Sequence, residues 1–345
     1  MATTSIPDHI AAMKKQFLEL EQQSVDLLGP VPADLKESII EIPLEDGFIS
    51  HSILIRPAST SSGQSPERLP LVVLIHGGSF MTCSPKQFLS PGRAVASHLN
   101  AVVVSIEYKL APEHPFPAGP RSAWEVVAWL SKANNLNDAV LRAEGLEVDP
   151  TLGFVLGGGS AGANLAAVIA GVQASQRHDL LEGLPAIAAD ITGLFVAIPL
   201  LLHDDMVPDE YRPMYRPREE HADAPFINAK SLAQTREMYK PDTRSPWFSP
   251  VNLGFTRLAG SHPRKVYVQV GELDILRDDG VIYERMLRQT GVVETKLDVM
   301  IGYDHACWCN LPFDPAHTQE IKEKTMDAFS WLMDTEWGRS RTLSY

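Results

Sequence analysis

FVLGGGSAGANLAAVIA, residues 154–170, satisfies two patterns at once. Gly157, Gly159 and Gly162 fit G-x-G-x-x-G, the glycine turn that cradles a dinucleotide pyrophosphate. Gly158, Ser160 and Gly162 fit G-x-S-x-G, the strained strand-to-helix turn that holds up a serine hydroxyl. Both patterns need an apolar strand before them and a helix after them, so the neighbours must decide. A dinucleotide turn follows the first strand of its fold and uses an acidic residue about 20 positions later. Here two buried-strand patterns, LVVLIHGG and AVVVSIEY, already precede the turn. The corresponding downstream stretch, DLLEGLP, reads as a loop, and the next strand, ITGLFVAIPLLL, ends in apolar residues. The acidic partner is missing, which leaves the serine turn. Ser160 then stands before a helix whose first N–H groups favour negative charge.

A serine hydroxyl needs a base, and the base needs an acid to orient it. In a strand-turn-helix hydrolase the chain order is serine, acid, histidine. GELDILRDDG follows the strand KVYVQVG and places Asp274 just beyond its C-terminal end; GYDHACW follows TKLDVMIG and places His305 likewise. Open α/β sheets carry their chemistry at these ends. Asp274 also has the position of a helix N-cap, and Asp278, Asp279 and Asp304 are rival acids. The fourth element is HGGSF, residues 76–80, after the first buried strand. An attacked carbonyl develops charge on oxygen and needs N–H groups already aimed at it. Gly77, Gly78 and Ser79 are the candidate donors on one side, with Ala161 on the other.

Strand and helix patterns alternate from residue 71 onward, which predicts a mostly parallel sheet covered on both faces. Upstream, SIIEIPL and FISHSILI flank the turn signal EDG and read as a hairpin forming an antiparallel edge, giving eight strands in all. Helical patterns occupy residues 8–28, 87–99, 121–133, 161–174, 228–240, 276–290 and 317–334. Residues 203–247 interrupt the alternation between the fourth and fifth buried strands. Tyr211, Met214, Tyr215 and Phe226 within them favour an ordered lid.

Together these residues resemble the hormone-sensitive-lipase family of α/β-hydrolases. YKLAPEHPFPA, residues 108–118, is similar to the family's Tyr-Arg-Leu-Ala-Pro-Glu-His-Pro-Phe-Pro-Ala run; GGSAGANLA, HGGSF and DILRDD are similar to its other three motifs. Three positions depart from the pattern: Ser79 replaces the third oxyanion glycine, Gly159 replaces the aspartate before the nucleophile, and His305 lies in YDHAC. The resemblance implies the α/β-hydrolase fold with an eight-stranded, mostly parallel sheet and a helical cap. It implies an N-terminal cap arm at residues 1–47, a core at 48–202 and 248–345, and a cap insertion at 203–247. It implies Gly78 and Ser79 as the principal oxyanion donors. Phe80, Tyr211 and Phe226 are the candidate pocket residues. The expected function is carboxylesterase activity on a small-to-medium ester, with no metal or cofactor. Thioester hydrolysis or acyl transfer on a polyketide-type or carrier-bound chain is the alternative. A non-catalytic small-molecule receptor is the alternative of another class, though receptors of this kind lose the histidine that is present here. Family members often pair, so a homodimer is a further expectation.

Bulk properties agree. With 345 residues, 44% of them apolar, the chain can bury a large core. A net charge of -13 repels nucleic acid and anionic lipid. The three cysteines, Cys83, Cys307 and Cys309, match no zinc spacing, and a bond between the last two would be strained. The N-terminus lacks a signal-peptide core and no segment has the length of a membrane span, so a cytoplasmic protein is expected.

Overall fold

The computed structural model describes residues 6–58, 65–255, 262–308, 315–339 and 343. Eight strands form one sheet: β1 Leu35–Pro43, β2 Ile49–Pro57, β3 Leu71–Ile75, β4 Val102–Ile106, β5 Phe154–Gly159, β6 Gly193–Ala197, β7 Lys265–Gly271 and β8 Glu294–Met300. Their spatial order is β1-β2-β4-β3-β5-β6-β7-β8. β1 and β2 pair antiparallel with Ile39 opposite Ile53, β2 pairs antiparallel with β4, and every later pair is parallel. The hairpin and the six further strands read from the sequence are these eight, but the last of the six, β8, is an edge strand, mostly exposed or half-buried rather than buried.

Helices α1 Ile6–Leu28, α2 Leu89–Leu99, α3 Ala118–Leu130, α4 Ala161–Ser175, α5 Ala229–Tyr239, α6 Arg277–Gln289 and α7 Pro315–Leu332 account for the helical patterns. β3, β4, β5, β6 and β7 are buried along their whole length, because helices cover both faces. α3 and α4 contribute to one core layer with Trp124, Leu165 and Ile169. α2 and α7 build the other with Val95, Ala96, Met326 and Phe329. α4 is apolar almost all round, which suits a helix sandwiched between the sheet and α3.

The stretch expected as an N-terminal cap arm, residues 1–47, divides. α1 lies outside the sheet, but β1 is an edge strand of it, so residues 35–43 belong to the sheet and not to an arm preceding it. Ile40 and Ile42 of β1 are buried in the core, and that burial holds the strand in place. Residues 203–247 are ordered around the short helices Arg212–Met214 and Pro217–Glu220 and around α5. Among the described residues no helix is long and apolar enough to cross a membrane, and no group of three metal-ligating side chains occurs. Cys83 is a free thiol; the expectation for Cys307 and Cys309 lies outside the described side chains.

Two buried histidines make stability depend on pH. Burial pushes His76 and His262 each down to about 4. Among the described residues both imidazoles keep an unpartnered Nε2, so neither gains from a proton there. The unfolded chain protonates near the ordinary value of 6.5 while the native state stays neutral. Stability is therefore full above pH 6.5 and is lost as pH falls toward 4, at about 1.4 kcal/mol per pH unit for each histidine. Urea unfolding at pH 6.5 and 5 should show this slope, and His262→Leu, remote from Ser160, should remove about half of it. An unchanged slope in the variant would contradict the assignment.

Candidate active site

Ser160 stands between β5 and α4 with φ 56° and ψ -118°. A residue with a side chain adopts such a conformation only when its surroundings impose it. The surroundings here are glycine contacts. A Cβ on Gly162 would lie 1.9 Å from the Ile75 carbonyl oxygen, and one on Gly158 would lie 2.4 Å from the Gly162 carbonyl carbon. Both positions must lack a side chain for the helix to meet the strand. The Ser160 N–H donates to Ala197 O at 2.8 Å, and Asn164 N–H donates back to Ser160 O at 3.1 Å. The buried Asn164 amide also donates to Leu200 O and Phe248 O, both at 2.7 Å. Sequence reading did not single out Asn164; it ties α4 to the segment following β6.

The structure brings Ser160, His305 and Asp274 together from three strand ends. His305 Nε2 lies 2.9 Å from Ser160 Oγ, and Nδ1 lies 2.8 Å from Asp274 Oδ2. The other Asp274 oxygen accepts the Leu276 N–H at 2.8 Å. The carboxylate thus caps its own turn and orients the imidazole with different oxygens. The rival acids are engaged elsewhere. Asp278 accepts from Arg216 N–H and Arg277. Asp279 accepts from Leu201 N–H, Leu202 N–H and Arg218. Asp304 accepts the Ala306 N–H. Burial raises Asp279 to about 6 despite the Arg218 guanidinium beside it.

The loop after β3 bends sharply. Gly78 has φ 93°, Ser79 55° and Phe80 62°. A Cβ on Gly78 would lie 2.2 Å from Thr82 O, so glycine is required there. Gly78 O accepts from Met81 N–H and Thr82 N–H, both at 2.9 Å. Among the described residues, no protein acceptor takes the N–H groups of Gly78, Ser79 or Ala161. Gly77 differs. Its N–H donates to Gln87 Oε1 at 2.6 Å, so it is withdrawn from the donor set proposed from the sequence. Tyr108, first residue of the YKLAPEHPFPA run, supports the loop from below. Its ring stacks on His76 at 4.5 Å and its hydroxyl donates to His76 O at 3.1 Å.

A pocket of about 480 Å³, its open mouth included, lies over Ser160 and His305. Phe17, Phe88, Ile198, Phe226 and Ile227 give it an apolar lining, with Cys83 and Gln87 beside the loop. Phe17 of α1 meets Phe226 of the insertion edge to face at 6.3 Å. Phe226 is where the sequence reading put it, but Phe80 and Tyr211 are not. The left-handed backbone at Phe80 turns its ring away from the pocket and onto Tyr239, stacked at 4.1 Å. Tyr211 is buried with Leu202, Val207 and Ile282, and its hydroxyl donates to Gln289 Oε1 at 2.7 Å.

Comparison with known proteins shows the family and the fold. A family model described as alpha/beta hydrolase fold matches residues 72–309. An AB hydrolase superfamily protein of Schizosaccharomyces pombe is 28% identical over 327 residues, covering 94% of this chain and 88% of its own. Esterase LipI of Mycobacterium tuberculosis is 30% identical over 308 residues, covering 87% of this chain and 83% of its own. Among solved structures, vibralactone cyclase matches with a TM-score of 0.78 at 25% identity, over 94% of this chain and 89% of that one. The chain therefore belongs to the α/β-hydrolase family, in its hormone-sensitive-lipase-like branch, and is a hydrolase.

Proposed function

We propose that the protein is a serine carboxylesterase acting on a small-to-medium, uncharged ester. The observation that carries this reading is the single imidazole joining Ser160 Oγ to the Asp274 carboxylate. His305 Nε2 takes the hydroxyl proton as Ser160 Oγ bonds to the ester carbonyl carbon. The oxyanion so formed lies toward the N–H groups of Gly78, Ser79 and Ala161. His305 then gives the proton to the departing alcohol, leaving an acyl group on Ser160, and a water molecule reverses the sequence. Asp274 stabilises the imidazolium and holds Nδ1–H toward itself. Retention of His305 in this geometry favours catalysis over a binding-only role, and the likeness to esterase LipI supports ester hydrolysis.

The pocket supports the substrate class. Among the described residues no Lys, Arg, Asp or Glu lines it, so a charged acyl group would lose its hydration without a partner there. α1 and residues 203–247 serve as the cap, closing over Ser160 through the Phe17–Phe226 contact. A p-nitrophenyl ester series from acetate to dodecanoate tests the reading. Turnover should peak at short-to-medium chains, and Phe226→Ala should move the optimum toward longer ones. A maximum at dodecanoate in the wild type, or an optimum unmoved by Phe226→Ala, would contradict the pocket assignment.

A further inference from the structure

The oxyanion loop is held from one side by a chain of contacts that begins in the N-terminal helix. Gln87 is the central residue. Its Oε1 accepts the Gly77 N–H at 2.6 Å, and its side chain reaches the pocket beside Gly78, Ser79 and Ser160. Gly77 lies against the nucleophile turn: a Cβ there would be 2.9 Å from Gly159 O and 3.2 Å from Ser160 Cβ. Whatever fixes the Gly77 peptide therefore fixes the direction of the next two N–H groups relative to Ser160.

Gln87 belongs to the short 3-10 turn Pro85–Phe88, which starts at Ser84. That turn is held by Glu21 of α1. One Glu21 oxygen accepts the Ser84 N–H at 2.9 Å and the other accepts the Ser84 hydroxyl at 2.6 Å, while the Ser84 carbonyl accepts the Gln87 N–H at 3.1 Å. Glu21 is buried although it sits on a helix whose other described polar side chains face outward or lie partly open. Four residues earlier on the same helix, Phe17 covers the pocket. One docking event thus seats both the pocket roof and the carboxylate that holds the Gln87 turn.

We propose that Gln87 is a positioning residue for the oxyanion donors Gly78 and Ser79, and that Glu21 holds Gln87, so that seating α1 sets the site's affinity for the tetrahedral state. This inference rests on the ester-hydrolysis reading above. Contacts made to the loop, and not to the substrate, should appear in kcat and spare KM. A misdirected donor costs on the order of 10- to 100-fold in rate.

The test combines three variants with two readouts. Gln87→Met keeps the side-chain length and removes the acceptor. It should lower kcat on p-nitrophenyl acetate roughly 30-fold, by the cost of a misdirected donor, with KM within threefold. Glu21→Ala should lower kcat about tenfold, and the double variant should be no slower than Gln87→Met alone, because both changes break one chain of contacts. The second readout is binding of phenylboronic acid. Ser160 Oγ adds to the trigonal boron, its proton passes to His305, and one hydroxyl of the resulting anionic tetrahedral boronate enters the oxyanion hole. Its affinity should fall with kcat in each variant. Because this adduct needs no turnover, it reads the loop even if the ester series shows none, which separates failure of this inference from failure of the ester reading. If Gln87→Met does not fold, Gln87→Glu, which keeps an acceptor for the Gly77 N–H, should retain boronate affinity within tenfold. Wild-type kcat and boronate affinity in Gln87→Met, losses confined to KM, multiplicative losses in the double variant, or loss of boronate binding in Gln87→Glu would each overturn the proposal.

Discussion

Replacing Ser160 by alanine is expected to lower kcat/KM for ester hydrolysis by about 10⁴- to 10⁶-fold while leaving the unfolding midpoint within a few degrees of wild type. The structural half of this expectation follows from the turn. Alanine at φ 56° carries the same Cβ strain as serine, and the contacts that impose the strain belong to Gly158, Gly162 and Ala197 O. The Ser160 hydroxyl bonds only to His305 among the described residues, so its loss disturbs one contact. The kinetic half follows from the absence of any substitute. Cys83 lines the same pocket, but burial pushes its thiol up to about 12, so at neutral pH it is not a thiolate nucleophile. Residual activity would come from the oxyanion donors acting on water. A loss below tenfold in purified Ser160→Ala would remove Ser160 as the nucleophile.

Asp274→Asn should cost about 10⁴-fold in kcat at neutral pH with little change in KM. The argument lies in the two carboxylate oxygens. Leu276 N–H must be accepted, and that contact assigns the amide oxygen of an asparagine to the Leu276 side. The NH₂ group then faces His305 Nδ1. An NH₂ can only donate, so the imidazole would have to accept at Nδ1 and carry its proton at Nε2. That proton would point at Ser160 Oγ, and His305 could no longer act as base. Shape and hydrogen-bond number are nearly conserved, so the fold should persist, as circular dichroism would show. A drop of less than tenfold would mean that another acid orients His305. Asp278, Asp279 and Asp304 are the neighbours in sequence, and each is already occupied by other donors.

The sequence was most informative where a single steric or topological rule governs. The glycines flanking Ser160 leave room for only one strand-helix approach, and the order of strands after it puts Asp274 and His305 at sheet ends. The same local reasoning could not tell which N–H groups of HGGSF remain available. Gly77 is spoken for by Gln87, ten residues on, and nothing in a helix-initiating PKQF stretch marks that contact. Aromatic side chains were misplaced for a related reason. Phe80 adjoins the motif, yet a positive φ sends its ring to Tyr239, over a hundred residues away. Tyr211 lies in the insertion but satisfies its hydroxyl at Gln289. Phe17 shows the reverse. It reads as one apolar position of an amphipathic helix, and only tertiary docking brings it over Ser160. The cap-arm boundary failed because β1 was counted with the helix preceding it, although its alternating isoleucines already gave it a strand's face.

Mass spectrometry after reaction with an organophosphate ester, diethyl p-nitrophenyl phosphate, tests the central claim most directly. Ser160 Oγ would displace p-nitrophenol and retain the diethyl phosphoryl group, because no acyl-enzyme water step readily removes it. One label per chain is predicted, located in the peptide spanning residues 154–170, with activity lost in proportion and no label on Ser160→Ala. Labelling at any other residue, or loss of activity without a modified Ser160, would contradict the account.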